Sequence, residues 1–261
     1  VEKFTNAGGD LTDDWQYHAV ATVIRAHSLI RSFPEVDPER TAVTGISWGG
    51  YLTCIVASVD DRFKAAVPVY GCGFLYDGES VQRPQIESLP QEQQAEWIRL
   101  YEPSVWLPKC RVPIMFVNGT NDVHYPLVSY SRSYDLVAGP RTLRIEVNMP
   151  HGHPPGWKPE EIGLFVDQHL RGGVALPKLS EPKVTDGVVT ATFESELPVK
   201  SAALHYTTDT GRQAERKWHS AAATIEDKTV SASVPKDATV WMLSVTDSRD
   251  AMVSTEVMFA E

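Results

Sequence analysis

Seven residues, Thr44-Gly45-Ile46-Ser47-Trp48-Gly49-Gly50, place a serine between glycines two before and two after it. A serine hydroxyl is a weak nucleophile at neutral pH. It becomes a strong one when a base takes its proton and an acid orients that base. The flanking glycines let backbone pass close by without a Cβ clash. A β-branched lead-in at 41–44 and an apolar run at 51–59 supply the strand, sharp turn and helix that a nucleophile elbow requires. The bland alternative is a glycine-rich helix start with a buried serine.

An acid and a base follow in chain order. Val117-Asn118-Gly119-Thr120-Asn121-Asp122 reads as a buried strand, a glycine turn and a carboxylate just past the strand tip. Catalytic groups collect at strand ends in open parallel sheets. Asp122 could equally be a turn-capping residue. Asn118-Gly119-Thr120 also fits a glycosylation acceptor, discounted because it sits on a buried strand end. Further on, Asn148-Met149-Pro150-His151-Gly152-His153-Pro154-Pro155-Gly156-Trp157 holds two histidines in a Gly/Pro frame. His151, nearer the strand end, is the expected base, with His153 as second choice. His18, His27 and His124 are weaker candidates; His124 shares a short loop with Asp122 instead of facing it. No Cys, Asp or Glu in the loop completes a metal site, so neither a metal nor a cofactor is expected. The Trp48 N–H, next after the nucleophile, is the expected oxyanion donor. A second donor would come from a loop after an earlier strand, and none is found in this sequence.

These residues need a scaffold. A helix starting near Asp14, capped by Asp13 or Thr12, should present Trp15, Ala19, Val23, Ala26, Ile30 and Phe33 on one apolar face. Strands are expected over 41–44, 65–70, 112–118 and 143–147, with Pro68 an irregularity. Helices over 51–59, 128–136 and 159–170 alternate with them, which implies a parallel sheet covered on both faces. The polar, Gln/Glu-rich stretch 76–108, with Trp97 and Trp106, is read as a cap insertion or a surface decoration. Past 174 the pattern becomes short β-branched strands at 188–193, 202–207, 221–225, 229–234, 239–245 and 253–259. Turn signals separate them, so an antiparallel, immunoglobulin-like sandwich is expected. The division is therefore 1–173 and 174–261. The sheet's early strands would lie before Val1, or the protein works without them. A long bare edge invites pairing. An oligomer, a second chain or the 1–13 arm is expected to cover it.

Composition narrows the function classes. The chain has 261 residues, 42% hydrophobic and 22% charged, which is ordinary for a globular protein. Its net charge of −10 argues against a nucleic-acid surface. No run approaches the roughly 18 apolar residues of a membrane span. Cys54, Cys72 and Cys110 form no C-x-x-C pair and read as buried hydrophobes. His205 and His219 read as ordinary strand residues. The compartment stays open: secreted or periplasmic if a leader lies upstream of Val1, otherwise cytoplasmic.

Residues 32–50, S-F-P-E-V-D-P-E-R-T-A-V-T-G-I-S-W-G-G, resemble the acetylxylan esterase / cephalosporin-C deacetylase family of α/β-hydrolases. The likeness continues at Gly119 to Asp122 and at the loop near His151, covering roughly 14–171. It implies an α/β-hydrolase with Ser47 as nucleophile, Asp122 as orienting acid and His151 as base. The implied substrate is a small acyl ester, such as an acetyl group on a sugar. Trp48 stands where the family more often has Gln, and the C-terminal sandwich is not part of its core. A prolyl-oligopeptidase-like peptidase shares G-x-S-x-G-G and the same late residues, and is the alternative. A non-catalytic, hydrolase-like binding module is another.

Overall fold

The computed structural model describes residues 3–4 and 7–260. Strands β1 (Ala42–Ile46), β2 (Ala65–Val69), β3 (Ile114–Gly119) and β4 (Arg141–Glu146) form a parallel sheet in chain order. Every residue of β2 and β3 is buried, so both faces of the sheet are covered. Helices α2 (Trp48–Val59) and α8 (Glu161–Arg171) both pack on β2. Pro68 donates no ladder bond, and the β2–β3 pairing is interrupted between Ala66 and Val69.

Close packing of α2 on the sheet sets the nucleophile turn. A Cβ on Gly50 would lie 2.5 Å from the Val69 carbonyl oxygen, and one on Gly71 would lie 1.9 Å from the Gly50 carbonyl carbon. The chain after β2 therefore runs against the start of α2 through two positions that only glycine can fill. Gly71→Ala is expected to destabilise the fold by about 3 kcal/mol or more, because backbone must move on both sides. Urea denaturation reads this, and a variant within about 1 kcal/mol of the parent contradicts the packing described.

Helix α1 (Trp15–Ile30) departs from the expected face. Its cap is Asp14, not Asp13 or Thr12, and the Asp14 carboxylate takes the Tyr101 hydroxyl. The helix buries Gln16 and His27, while Ile30 and Phe33 are each 49% exposed. His27 is fixed by Asp60 (2.8 Å) and Thr41 (2.7 Å) and stacks on Phe63. A satisfied polar group can take the buried side of a helix, and hydrophobic spacing does not register it. Burial raises the Asp60 carboxyl's pKa, but bonds from Arg62 and His27 outweigh that and hold it at about 2.

Between β2 and β3 lie α3 (Arg83–Glu87), α4 (Gln91–Tyr101) and α5 (Pro103–Trp106). Trp97 is fully buried against Phe4. Glu102, also fully buried, accepts from Leu75 N, Ser104 N and the Ser104 hydroxyl. Burial pushes its carboxyl up to about 7 against those bonds. Helix α6 (Leu127–Asp135) joins β3 to β4, and α7 (His153–Trp157) precedes α8.

The C-terminal part is antiparallel. Strands β5 (Lys178–Leu179), β6 (Lys183–Thr185), β7 (Val188–Glu194), β10 (Thr224–Glu226) and β11 (Thr229–Ser233) form one sheet. The other holds β8 (Val199–Thr207), β9 (His219–Ala222), β12 (Val240–Asp247), β13 (Met252–Ser254) and β14 (Met258–Phe259). The expected strand at 221–225 is two strands in different sheets, because the chain crosses over at Ala223. The expected strand at 253–259 is likewise broken into β13 and β14.

Residues of β13 and those just after it lie along β4. Ser254 accepts from Ile145 N, Glu256 pairs with Arg141, and Val257 N donates to the Tyr134 hydroxyl. At the opposite edge, β1 pairs only with β2 among the described residues. Part of the 1–13 arm is described, and it supplies no strand: Phe4 packs on Trp48 and Trp97 instead. Val1, Glu2, Thr5 and Asn6 of that arm lie outside the described residues. Cys54, Cys72 and Cys110 are buried free thiols. No described helix is long and apolar enough to cross a membrane.

Candidate active site

Ser47 sits between β1 and α2 with φ 60° and ψ −117°. A non-glycine residue in that conformation is strained, and its neighbours over-determine it. Ser47 N donates to the Val69 carbonyl, and the Ser47 carbonyl accepts from Tyr51 N. Trp48 opens α2, so its N–H has no intrahelical acceptor and adds to the positive end of the helix dipole. The Trp48 ring is held by Phe4, Trp15 and Tyr51, with the Lys3 ammonium 4.7 Å above it.

Three side chains from separate strand ends meet in one row. His151 Nε2 is 2.9 Å from Ser47 Oγ, and His151 Nδ1 is 2.7 Å from Asp122 Oδ2. Asp122 is fully buried at its side chain, while His151 is 20% exposed. The second carboxylate oxygen, Oδ1, accepts from His124 N (2.7 Å) and Tyr125 N (3.0 Å). Asp122 thus closes its own turn and faces the imidazole at once. His153 begins α7, is exposed, and makes neither of these bonds. No described cluster of His, Cys, Asp or Glu could hold a metal ion.

Tyr70 and Tyr125, which sequence spacing did not single out, enclose the imidazole together with His124, the weaker base candidate. The Tyr70 ring lies 4.6 Å from His151, that of His124 4.5 Å, and that of Tyr125 6.0 Å and nearly parallel. The Tyr70 hydroxyl donates to the Pro150 carbonyl (2.8 Å), pinning the residue before His151. Tyr70 takes a positive φ of 61° just past β2, which strand propensity cannot announce. Its phenol is pushed up to about 12 by burial, with the Asp122 charge adding to it. Burial, then the neighbouring His151, lowers the His124 pKa, which favours its neutral form. Gln82 lies 3.2 Å from its Nδ1. Asn118 is fully buried and donates to the Tyr125 carbonyl.

A hydroxyl bonded to an imidazole, itself bonded to a buried carboxylate, can deliver an activated oxygen to a carbonyl carbon. A free N–H beside that hydroxyl can receive the negative charge. Comparison with known proteins agrees in fold. The acetyl xylan esterase from Paenibacillus sp. R4 superposes with a TM-score of 0.55 at 23% identity, over 62% of this chain and 55% of that one. The uncomplexed acylaminoacyl peptidase of Pyrococcus horikoshii gives a TM-score of 0.50 at 20% identity, over 65% of this chain and 29% of that one. The chain thus spans about half the length of the esterase and under a third of the peptidase. The model of the prolyl oligopeptidase family matches residues 2–158, more than half of the chain. With an α/β-hydrolase sheet beneath that match, the chain belongs to the prolyl oligopeptidase family of serine hydrolases.

Proposed function

We propose that this chain hydrolyses small esters of the acetyl type through a Ser47 acyl-enzyme. The observation that carries the reading is the unbroken row of hydrogen bonds from Ser47 through His151 to Asp122. His151 Nε2 takes the Ser47 proton as Oγ attacks the ester carbonyl. The oxyanion forms near the Trp48 N–H. The imidazolium, stabilised by Asp122, gives its proton to the departing alcohol. Water then enters, loses a proton to His151 and releases the acid from Ser47. No cofactor takes part in these steps.

Esters are the less demanding substrates for this row. An alcohol leaves more readily than an amine, and each oxyanion donor is worth about 10²–10³ in rate. The Trp48 N–H is the donor that the chain itself offers beside Ser47. The similar Paenibacillus protein is an acetyl xylan esterase, so an acetyl group on a sugar hydroxyl is the first natural-type ester to test. A second reading, a prolyl-oligopeptidase-type peptidase, is favoured by the family match over 2–158.

One panel separates them: p-nitrophenyl acetate, acetylated xylose, an acylaminoacyl amide and an aminoacyl-proline amide. The ester reading expects turnover of the first two and none of the amides. Faster cleavage of either amide would transfer the assignment to a peptidase.

A further inference from the structure

One turn of the C-terminal sandwich bonds to the loop that carries Asp122. Between β8 and β9 the chain makes a short 3-10 turn, Gln213–Glu215. The Asn121 amide nitrogen points at three carbonyls there: Gln213 (3.4 Å), Ala214 (3.1 Å) and Arg216 (2.8 Å). Asn121 is the residue before Asp122. Its amide oxygen accepts from the Thr120 hydroxyl (2.7 Å), and that hydroxyl accepts from Asn148 N (3.0 Å) at the head of the His151 loop. Gln213 adds two more bonds. Its side-chain oxygen accepts from Val128 N (3.2 Å), an orphan donor in the first turn of α6. Its backbone N–H donates to Glu79 (2.7 Å).

We infer that the 213–216 turn of the sandwich is a clamp on the acid-bearing loop, and that Asn121 is a positioning residue acting through Asp122. The loop from Thr120 to Pro126 leaves β3 at a glycine and carries a carboxylate that must meet the imidazole within a few tenths of an ångström. Its own Asx-type bonds fix the turn locally. Asn121 fixes where that turn stands relative to β4 and the His151 loop. The sandwich is thus part of the hydrolase's working geometry. The sandwich is also tethered along β4, where Ser254 accepts from Ile145 N and Glu256 pairs with Arg141; Arg249, which donates to the Val174 and Ala175 carbonyls at the start of the sandwich, touches no catalytic residue.

This inference rests on the Ser47 nucleophile reading, and the test keeps the two apart. The full chain and its Asn121→Ala, Gln213→Ala and Arg249→Ala variants are reacted with a fluorophosphonate, following both rate and final stoichiometry. Turnover of p-nitrophenyl acetate is measured alongside. Asn121→Ala is expected to label and turn over about 10- to 100-fold more slowly, with one label per chain at completion and an unchanged KM. Gln213→Ala, which loses one hydrogen bond, should slow labelling in the same direction by less. Arg249→Ala should lower the melting temperature and keep the parental labelling rate. Parental rates in both Asn121→Ala and Gln213→Ala overturn the clamp. So does a loss confined to the labelled fraction, with surviving chains reacting at full speed, because that is misfolding alone. A parent chain that never labels rejects the nucleophile reading instead, and the clamp with it.

Discussion

Ser47→Ala is expected to lower kcat for p-nitrophenyl acetate by about 10⁴- to 10⁶-fold while leaving the fold intact. The oxygen removed is the one 2.9 Å from His151 Nε2, and no other described hydroxyl is bonded to that nitrogen. Alanine keeps the Cβ, so it inherits the strain of φ 60° and ψ −117° and should melt where the parent does. Ser47→Gly is the informative companion. Glycine adopts positive φ freely, and a residue held in a sparsely populated conformation stores about 1–3 kcal/mol. The glycine variant should therefore be as inactive as the alanine variant but more stable in urea. Unchanged hydrolysis in either would remove Ser47 from the reaction. Equal stability of the two would mean that the turn stores no strain at this position.

The elements that carry these residues were largely legible because their signals are local. Buried strands read as short apolar runs, and a serine between glycines after such a run reads as a sharp turn. What failed was information that lives between segments. The spacing in α1 predicts an apolar face that the structure leaves partly exposed, because the buried side belongs to Gln16 and to the His27–Asp60–Thr41 network. The run Ala221-Ala222-Ala223-Thr224-Ile225 holds no glycine, proline or other turn signal, yet the backbone changes sheets at Ala223. Tyr70 looked like the last residue of a strand. Its positive φ lies next to the close approach of Gly71 to Gly50, a contact that no window of sequence contains. His151 and His153 share one Gly/Pro frame, and only the fold sets one beside Ser47 and the other in solvent. Asn121 and Gln213 are 92 positions apart, and neither residue type announces the other.

Asp122→Asn should lower kcat by about 10⁴-fold with KM little changed, and the reason lies in the two sides of the carboxylate. Oδ1 accepts from two backbone N–H groups, and Oδ2 faces His151 Nδ1. An asparagine placed here must turn its single oxygen toward the two N–H donors. Turning its NH₂ that way would set donor against donor in a buried site. The NH₂ then points at His151 Nδ1, which can only accept. The ring proton is driven to Nε2, the nitrogen that must be free to take the Ser47 proton. The geometry survives and the tautomer is wrong. Because fluorophosphonate labelling needs the same lone pair on Nε2, it should slow by a factor similar to kcat. A variant that keeps kcat within tenfold of the parent would mean that Asp122 does not govern the imidazole. Slow turnover with fast labelling would instead place its role in acyl-enzyme breakdown.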